Sequence, residues 1–205
     1  GVIVGNIKRI TDGAIFLALY AVLLLLFLYV PVIGTIAMFM LPLPFIYYTA
    51  KYNWKNGLIF FAGAVGITFI IGTVFALPAT FILGSTGIVF GWHYHEGKTR
   101  LSAYLAATTT FLVALVLSFV LYSVFSEINL IEQFTKDVET YTDFMIENMG
   151  LIDAATEEMF RQRIELITET FKVLLPSIFL MASALAVILI QLVSIPILKR
   201  IGVKV

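Results

Sequence analysis

The sequence contains no cysteine, which excludes disulfides, thiolate nucleophiles and cysteine-ligated metal. It has only two histidines, so a histidine-rich metal centre is excluded as well. Charge is scarce: 13% of residues are Asp, Glu, Lys or Arg, against about 25% in an ordinary soluble domain. The scarcity is also uneven. No charged residue occurs between Gly13 and Ala50, Gly57 and His95, Leu101 and Ser126, or Val173 and Leu198. Proton- or ion-coupled carriers keep ionisable side chains inside the bilayer to hold the coupling ion. Their absence argues against a self-powered pump and against acid/base or metal catalysis within the membrane.

What fills those windows is apolar. The chain has 205 residues, 60% of them hydrophobic, and a mean hydropathy of +1.02. Each window accommodates one or two stretches of about 20 residues, the length that crosses a hydrocarbon core. The sequence predicts an all-α integral membrane protein with six transmembrane helices, over roughly 12–30, 32–50, 57–76, 78–92, 101–126 and 173–198. The motif "LPLP" at Leu41 to Pro44 is expected to break the second. Lys8 and Arg9 precede the first apolar run as in a signal peptide, but the run continues and reads as an uncleaved anchor. A first residue of Gly implies a missing or processed start.

A net charge of zero conceals a polarised chain. With the N-terminus inside, alternate connections carry nine basic and two acidic residues on the inner side, a net of +7. The outer side carries four basic and eleven acidic, a net of −7, all within residues 127–172. The positive-inside rule therefore predicts an N-in/C-in topology. Residues 127–172 are too polar to span. Ile131, Phe134, Val138, Tyr141 and Met145 form a helical stripe, Gly150 interrupts it, and Phe160, Ile164, Ile167 and Phe171 form a second. The expectation is a single bundle over 1–205 with an extracytoplasmic helical hairpin over 127–172 extending helices 5 and 6. That hairpin offers a docking or homo-oligomer surface.

The stretch "GWHYHEGKTR", residues 91–100, approaches a phosphate-binding loop. Five residues, not four, separate Gly91 from Gly97-Lys98-Thr99, and no strand precedes it, so a nucleotide site is not expected. His93 and His95 at i and i+2 face apart on a helix. Trp92 and Tyr94 read as interfacial anchors, with both histidines among headgroups.

Small residues mark close helix contacts. They include Ala14 and Ala18 on the first span, Gly63, Gly66 and Gly72 on the third, and Gly84, Gly87 and Gly91 on the fourth. Thr73, Thr80, Ser85, Ser118, Tyr122 and Ser177 fall in outer halves, where hydroxyls could line a cavity. Ser85, Ser118, Tyr122 and Ser177 are the candidate substrate-binding residues. Gln191 is the most polar side chain within a span.

The segments "IKRITDGAIFLALYAVLLLL", "GIVFGWHYHEGKTR" and "SIPILKRIGVKV", with the acidic stretch before the last span, resemble the YybS-type family of bacterial membrane proteins. That resemblance implies a plasma-membrane protein with further hydrophobic segments beyond Val205. Six spans with Ala14-x-x-x-Ala18 on the first also resemble the substrate-binding S-components of energy-coupling factor transporters. There the motif docks on a coupling subunit served by paired ATPases, which makes Ala14 and Ala18 candidate partner-binding residues. The long outer hairpin departs from the compact S-component pattern. The expectation is a non-enzymatic protein with no cofactor or nucleic-acid partner. It would bind a small molecule from outside, or serve as a scaffold that recruits partners through the hairpin or cytoplasmic face.

Overall fold

The computed structural model describes residues 2–150 and 153–205. Among them the secondary structure is entirely helical: α1 (Val2–Tyr29), α2 (Pro31–Met40), α3 (Pro42–Lys51), α4 (Trp54–Gly72), α5 (Leu77–His95), α6 (Arg100–Phe125), α7 (Leu130–Asn148) and α8 (Ala154–Arg200). A 3₁₀ turn at Val74–Ala76 leads into α5. Six segments are long and apolar enough to cross a membrane, namely α1, α2 with α3, α4, the 3₁₀ turn with α5, α6 and α8. The first begins at Val2 rather than near Asp12, because no proline or cap stops the helix in "VIVGNIKRIT".

Proline sets the two breaks in the second span. Val30 alone separates α1 from α2, with Pro31 opening the new helix. The reversal needs a glycine at Gly34, where a Cβ would sit 2.7 Å from the Leu26 carbonyl oxygen and 2.8 Å from that of Phe27. At "LPLP" the chain stays helical in φ and ψ at Leu41, whose N–H still reaches the Ala37 carbonyl at 2.9 Å. Pro42 and Pro44 have no N–H to offer the carbonyls four residues earlier, so the ladder is interrupted there.

The helices divide into two compact units, residues 1–116 with 182–205 and residues 117–181. The first has an aromatic centre on α3. Phe45 packs edge-on against Tyr20 and Phe60, both at 5.1 Å, a geometry that sets ring edges against ring faces. The glycines of α5 make room for α3. A Cβ on Gly87 would meet the Pro42 carbonyl oxygen at 2.7 Å, and one on Gly91 the Ile46 carbonyl oxygen at 2.6 Å. The α6 and α8 segments of this unit bury Ala103, Ala107, Ser183, Val187, Ile190, Ser194 and Leu198. Small side chains let helix backbones approach closely, and the Tyr104 hydroxyl donates to the Ala184 carbonyl at 3.0 Å.

The second unit contains α7 and the adjoining parts of α6 and α8. The Asn129 side chain caps α7 by accepting from the Ile131 and Glu132 N–H groups. Gly150, at φ +64°, follows its C-terminus. Arg161 reaches Asp143 at 2.7 Å and the Phe134 and Phe171 rings lie 5.0 Å apart, so α7 and this part of α8 run antiparallel. The expected stripe does not supply the whole contact. Thr142 and Thr168 are buried, whereas Tyr141 is 70% exposed and Met145 41%. Both threonines satisfy their hydroxyls on carbonyls of their own helix at 2.7 Å. Short side chains that need no outside partner let two helices approach more closely than Tyr141 could.

Candidate functional site

The strongest polar constellation of the first unit joins the N-terminal half of α1 to the end of α3. One Asp12 carboxylate oxygen accepts from Lys51 Nζ at 2.6 Å and from the Tyr52 hydroxyl at 2.5 Å. Lys51 lies over the Tyr47 and Tyr52 rings, at 5.6 and 5.5 Å, where ring quadrupoles favour a cation. The Tyr48 hydroxyl donates to the Arg9 carbonyl at 3.1 Å, and Tyr47 stacks on Phe16 at 4.3 Å. Burial, then the hydrogen bond to Asp12, pushes the Tyr52 phenol up to about 12. It thus remains a protonated donor at neutral pH. The arrangement is a latch whose donors and acceptors already occupy one another. Sequence reading counted Asp12 only as a charge. The available signal was the i, i+4 repeat Tyr47–Lys51 and Tyr48–Tyr52, which puts three phenols and an ammonium near one helix face.

The connection "GWHYHEGK" departs from expectation. α5 continues to His95, past Trp92. Gly97 adopts φ +70°, its N–H bonding the Tyr94 carbonyl at 3.1 Å while the Lys98 N–H bonds that of His93 at 2.9 Å. This paired pattern is the Schellman motif. Gly97 therefore terminates a helix, which accounts for the near-match to a phosphate loop. His93 is 6% exposed, not among headgroups. Its Nδ1 donates to the Val89 carbonyl, and that of His95 to the Ala50 carbonyl, each at 2.8 Å. The two rings serve separate carbonyls. Among the described residues no group of three or more His, Asp or Glu is arranged to hold a metal ion.

The other positions singled out from sequence are dispersed. Ala14 and Ala18 are exposed on α1, while Gly13, Tyr20, Leu23 and Leu24 face inward. Ser85 is half-buried in the first unit and bonds the Phe81 and Ile82 carbonyls of its own helix. Ser118, Tyr122 and Ser177 belong to the second unit. Ser118 is half-buried, and Tyr122 and Ser177 are exposed. Thr73 is exposed at φ +59°. Gln191 donates to the Arg100 carbonyl at 3.1 Å, tying α8 to α6.

Thr80 belongs to a hydroxyl trio that sequence reading missed. Tyr20 lies 2.5 Å from Thr80 and 3.4 Å from Thr68, the two threonine oxygens are 2.7 Å apart, and Thr68 donates to the Ala64 carbonyl. All three side chains are fully buried or nearly so. Three helices are joined here by groups that satisfy one another, as buried polar groups must be. In the second unit a polar cleft of about 400 Å³ lies between α7 and α8. Glu139, Asp143, Arg161, Glu165 and Glu169 line it, with Arg161 held by Asp143 and Glu157.

Residues 18–205 match the family described as predicted membrane protein (DUF2232). The chain is 29% identical over 201 residues to "Uncharacterized protein YybS" of Bacillus subtilis (strain 168). The alignment covers 94% of this chain and 62% of the relative, so the chain spans less than two thirds of that relative's length. No solved structure matches it significantly. The chain belongs to the DUF2232 membrane-protein family.

Proposed function

From membership of this membrane-protein family and the packing of its helices, we propose a non-enzymatic docking protein of the bacterial plasma membrane, a filled bundle that recruits partners through faces it leaves uncovered. One observation carries this reading. Of three Ala-x-x-x-Ala ridges in the chain, one, Ala182 with Ala186 on α8, is partly covered, and the other two stand at opposite extremes. Ala103 and Ala107 are wholly buried inside the first unit, whereas Ala14 and Ala18 lie exposed on α1. Close helix approach through small residues is the main attraction available between helices in lipid. An exposed ridge of this type suits a partner's transmembrane helix. The non-enzymatic reading is supported by the way the bundle's polar groups engage one another, as in the Asp12–Lys51–Tyr52 latch and the Tyr20–Thr68–Thr80 trio.

In this reading the N- and C-termini lie in the cytoplasm and the hairpin of α7 and α8 outside, following the charge asymmetry. Tyr141, Phe144 and Met145 on α7, with Leu166 and Ile167 on α8, are exposed. They would meet a second copy or an extracytoplasmic partner. A more specific version makes the chain the substrate-binding subunit of an energy-coupling factor transporter, with a coupling subunit and ATPases as partners. The exposure of Ala14 and Ala18 on the first helix favours it.

Purification from native membranes in mild detergent, followed by mass spectrometry, tests the proposal. A stoichiometric partner should be recovered with the wild-type chain. It should be lost from Ala14→Leu with Ala18→Leu, with the variant's elution profile unchanged. Equal recovery with both chains would remove α1 as the docking face. Recovery of a coupling subunit with ATPases would select the transporter version.

A further inference from the structure

An apolar pocket and a charged cleft adjoin in the second unit, independently of any docking role. Phe119, Phe134, Phe171 and Phe179, with Leu130 and Leu175, enclose a pocket of about 190 Å³. The rings are ordered against one another, Phe119 on Phe179 at 5.6 Å and Phe134 on Phe171 at 5.0 Å. Ile131 and Lys172 line this pocket and also an adjoining cleft of about 510 Å³. That cleft is otherwise polar, lined by Asn129, Glu132, Thr135, Lys136 and Glu139. An apolar cavity with a few convergent polar groups is the usual form of a small-molecule site.

The sequence positions of these residues show which kind of molecule fits. Phe119, Leu175 and Phe179 come from the charge-free windows, whereas Leu130, Phe134 and Phe171 come from the polar segments beyond them. The groove therefore crosses the boundary at which the hydrocarbon core gives way to headgroups. Its polar half carries both signs of charge. Lys136 and Lys172 are two of only four basic residues in residues 127–172; they pair with Glu132 at 3.6 Å and Glu169 at 3.1 Å, weak contacts that a phosphate can displace. Glu132 and Glu139 stand on the same helix; Glu132 faces Lys136, and Glu139 favours a cation.

We propose that this groove binds one glycerophospholipid with a phosphoethanolamine head. The acyl end occupies the phenylalanine pocket and the phosphate lies by Lys136 and Lys172. The ammonium lies by Glu139. A headgroup with phosphate but no ammonium would set Glu139 against like charge.

Native mass spectrometry of the purified full chain tests this, with added phosphatidylethanolamine or phosphatidylglycerol as the probe. One phosphatidylethanolamine should be retained per chain. Lys136→Gln with Lys172→Gln should lower its occupancy roughly tenfold, the effect of losing a charge-assisted hydrogen bond. Phe134→Ala should lower it too, and Lys55→Gln in the first unit should not. Equal retention of the two lipids would overturn the proposal, as would retention unaffected by the lysine pair or none in the wild type. Lys136 is exposed and Lys172 half-buried, so an unchanged thermal midpoint of the double variant separates lost binding from lost folding.

Discussion

The two units of this chain solve helix packing by opposite means. In the first, glycine and alanine bring backbones together, rings fill the space and the Tyr20, Thr68 and Thr80 hydroxyls pair with one another. In the second, two threonines and an ion pair hold the antiparallel contact, with a cleft of about 400 Å³ between the helices and large apolar side chains outside. Hydrophobic burial drives helices together in water but gives no such drive in lipid, where close van der Waals packing replaces it. The first unit is built for the second condition. The hairpin keeps apolar surface in reserve, which a partner, a second copy or a lipid would cover.

The comparison is broken most severely at Gly91. A valine there would put its Cβ 2.6 Å from the Ile46 carbonyl oxygen and from Thr49 Cβ. Gly91→Val should cost about 3 kcal/mol or more, the upper range for overpacking. Gly66 has nothing within 4 Å of its added Cβ, so Gly66→Ala should be neutral or stabilising by up to about 1 kcal/mol. Thermal denaturation of the detergent-solubilised protein distinguishes them. Similar midpoints for the two variants would mean that α3 and α5 do not pack as closely as described.

A medium effect is expected at the latch. Asp12→Asn should cost about 1–2 kcal/mol, since it removes the charge from two charge-assisted hydrogen bonds. The pH dependence follows from Tyr52, raised from 10.0 in its ordinary state to about 12 in the fold. A raised phenol means that the folded state prefers the protonated form. Its contribution is fully present below about pH 10 and is lost as pH rises through about 12. Tyr52→Phe should flatten that alkaline loss of stability, and an unchanged profile would place its origin elsewhere. The smallest effect belongs to the hairpin. Arg161→Gln breaks an exposed pair with Asp143 and should barely move the thermal midpoint, less still at high salt. A larger loss would show that the second unit depends on charge more than its exposure suggests.

The elements were largely legible in the sequence because their signals are local. Four charge-free windows contain the six spans, the polar run 127–172 contains α7 and the start of α8, and "LPLP" falls at the junction of α2 and α3. The interior of the candidate site was much less so. Asp12 looked like a stray charge beside Lys8 and Arg9 until α3 brought Lys51 and Tyr52 to it. Nothing in the sequence marks Tyr20 and Thr68 as a pair; α1, α4 and α5 bring them to Thr80. The histidines show the same limit, since the turn at Gly97 was readable only once its two hydrogen bonds were in place.

By itself the sequence determined that this chain is helical, with six described segments long and apolar enough to cross a membrane, since apolarity and length add along a segment and bilayer thickness sets the threshold. Tertiary structure alone decided which face of each span turns inward. On a helix apolar all round, no face is marked by its own residues. Ala103-x-x-x-Ala107 and Ala14-x-x-x-Ala18 are the same motif by composition and spacing. Neighbouring helices buried the first and left the second on the surface.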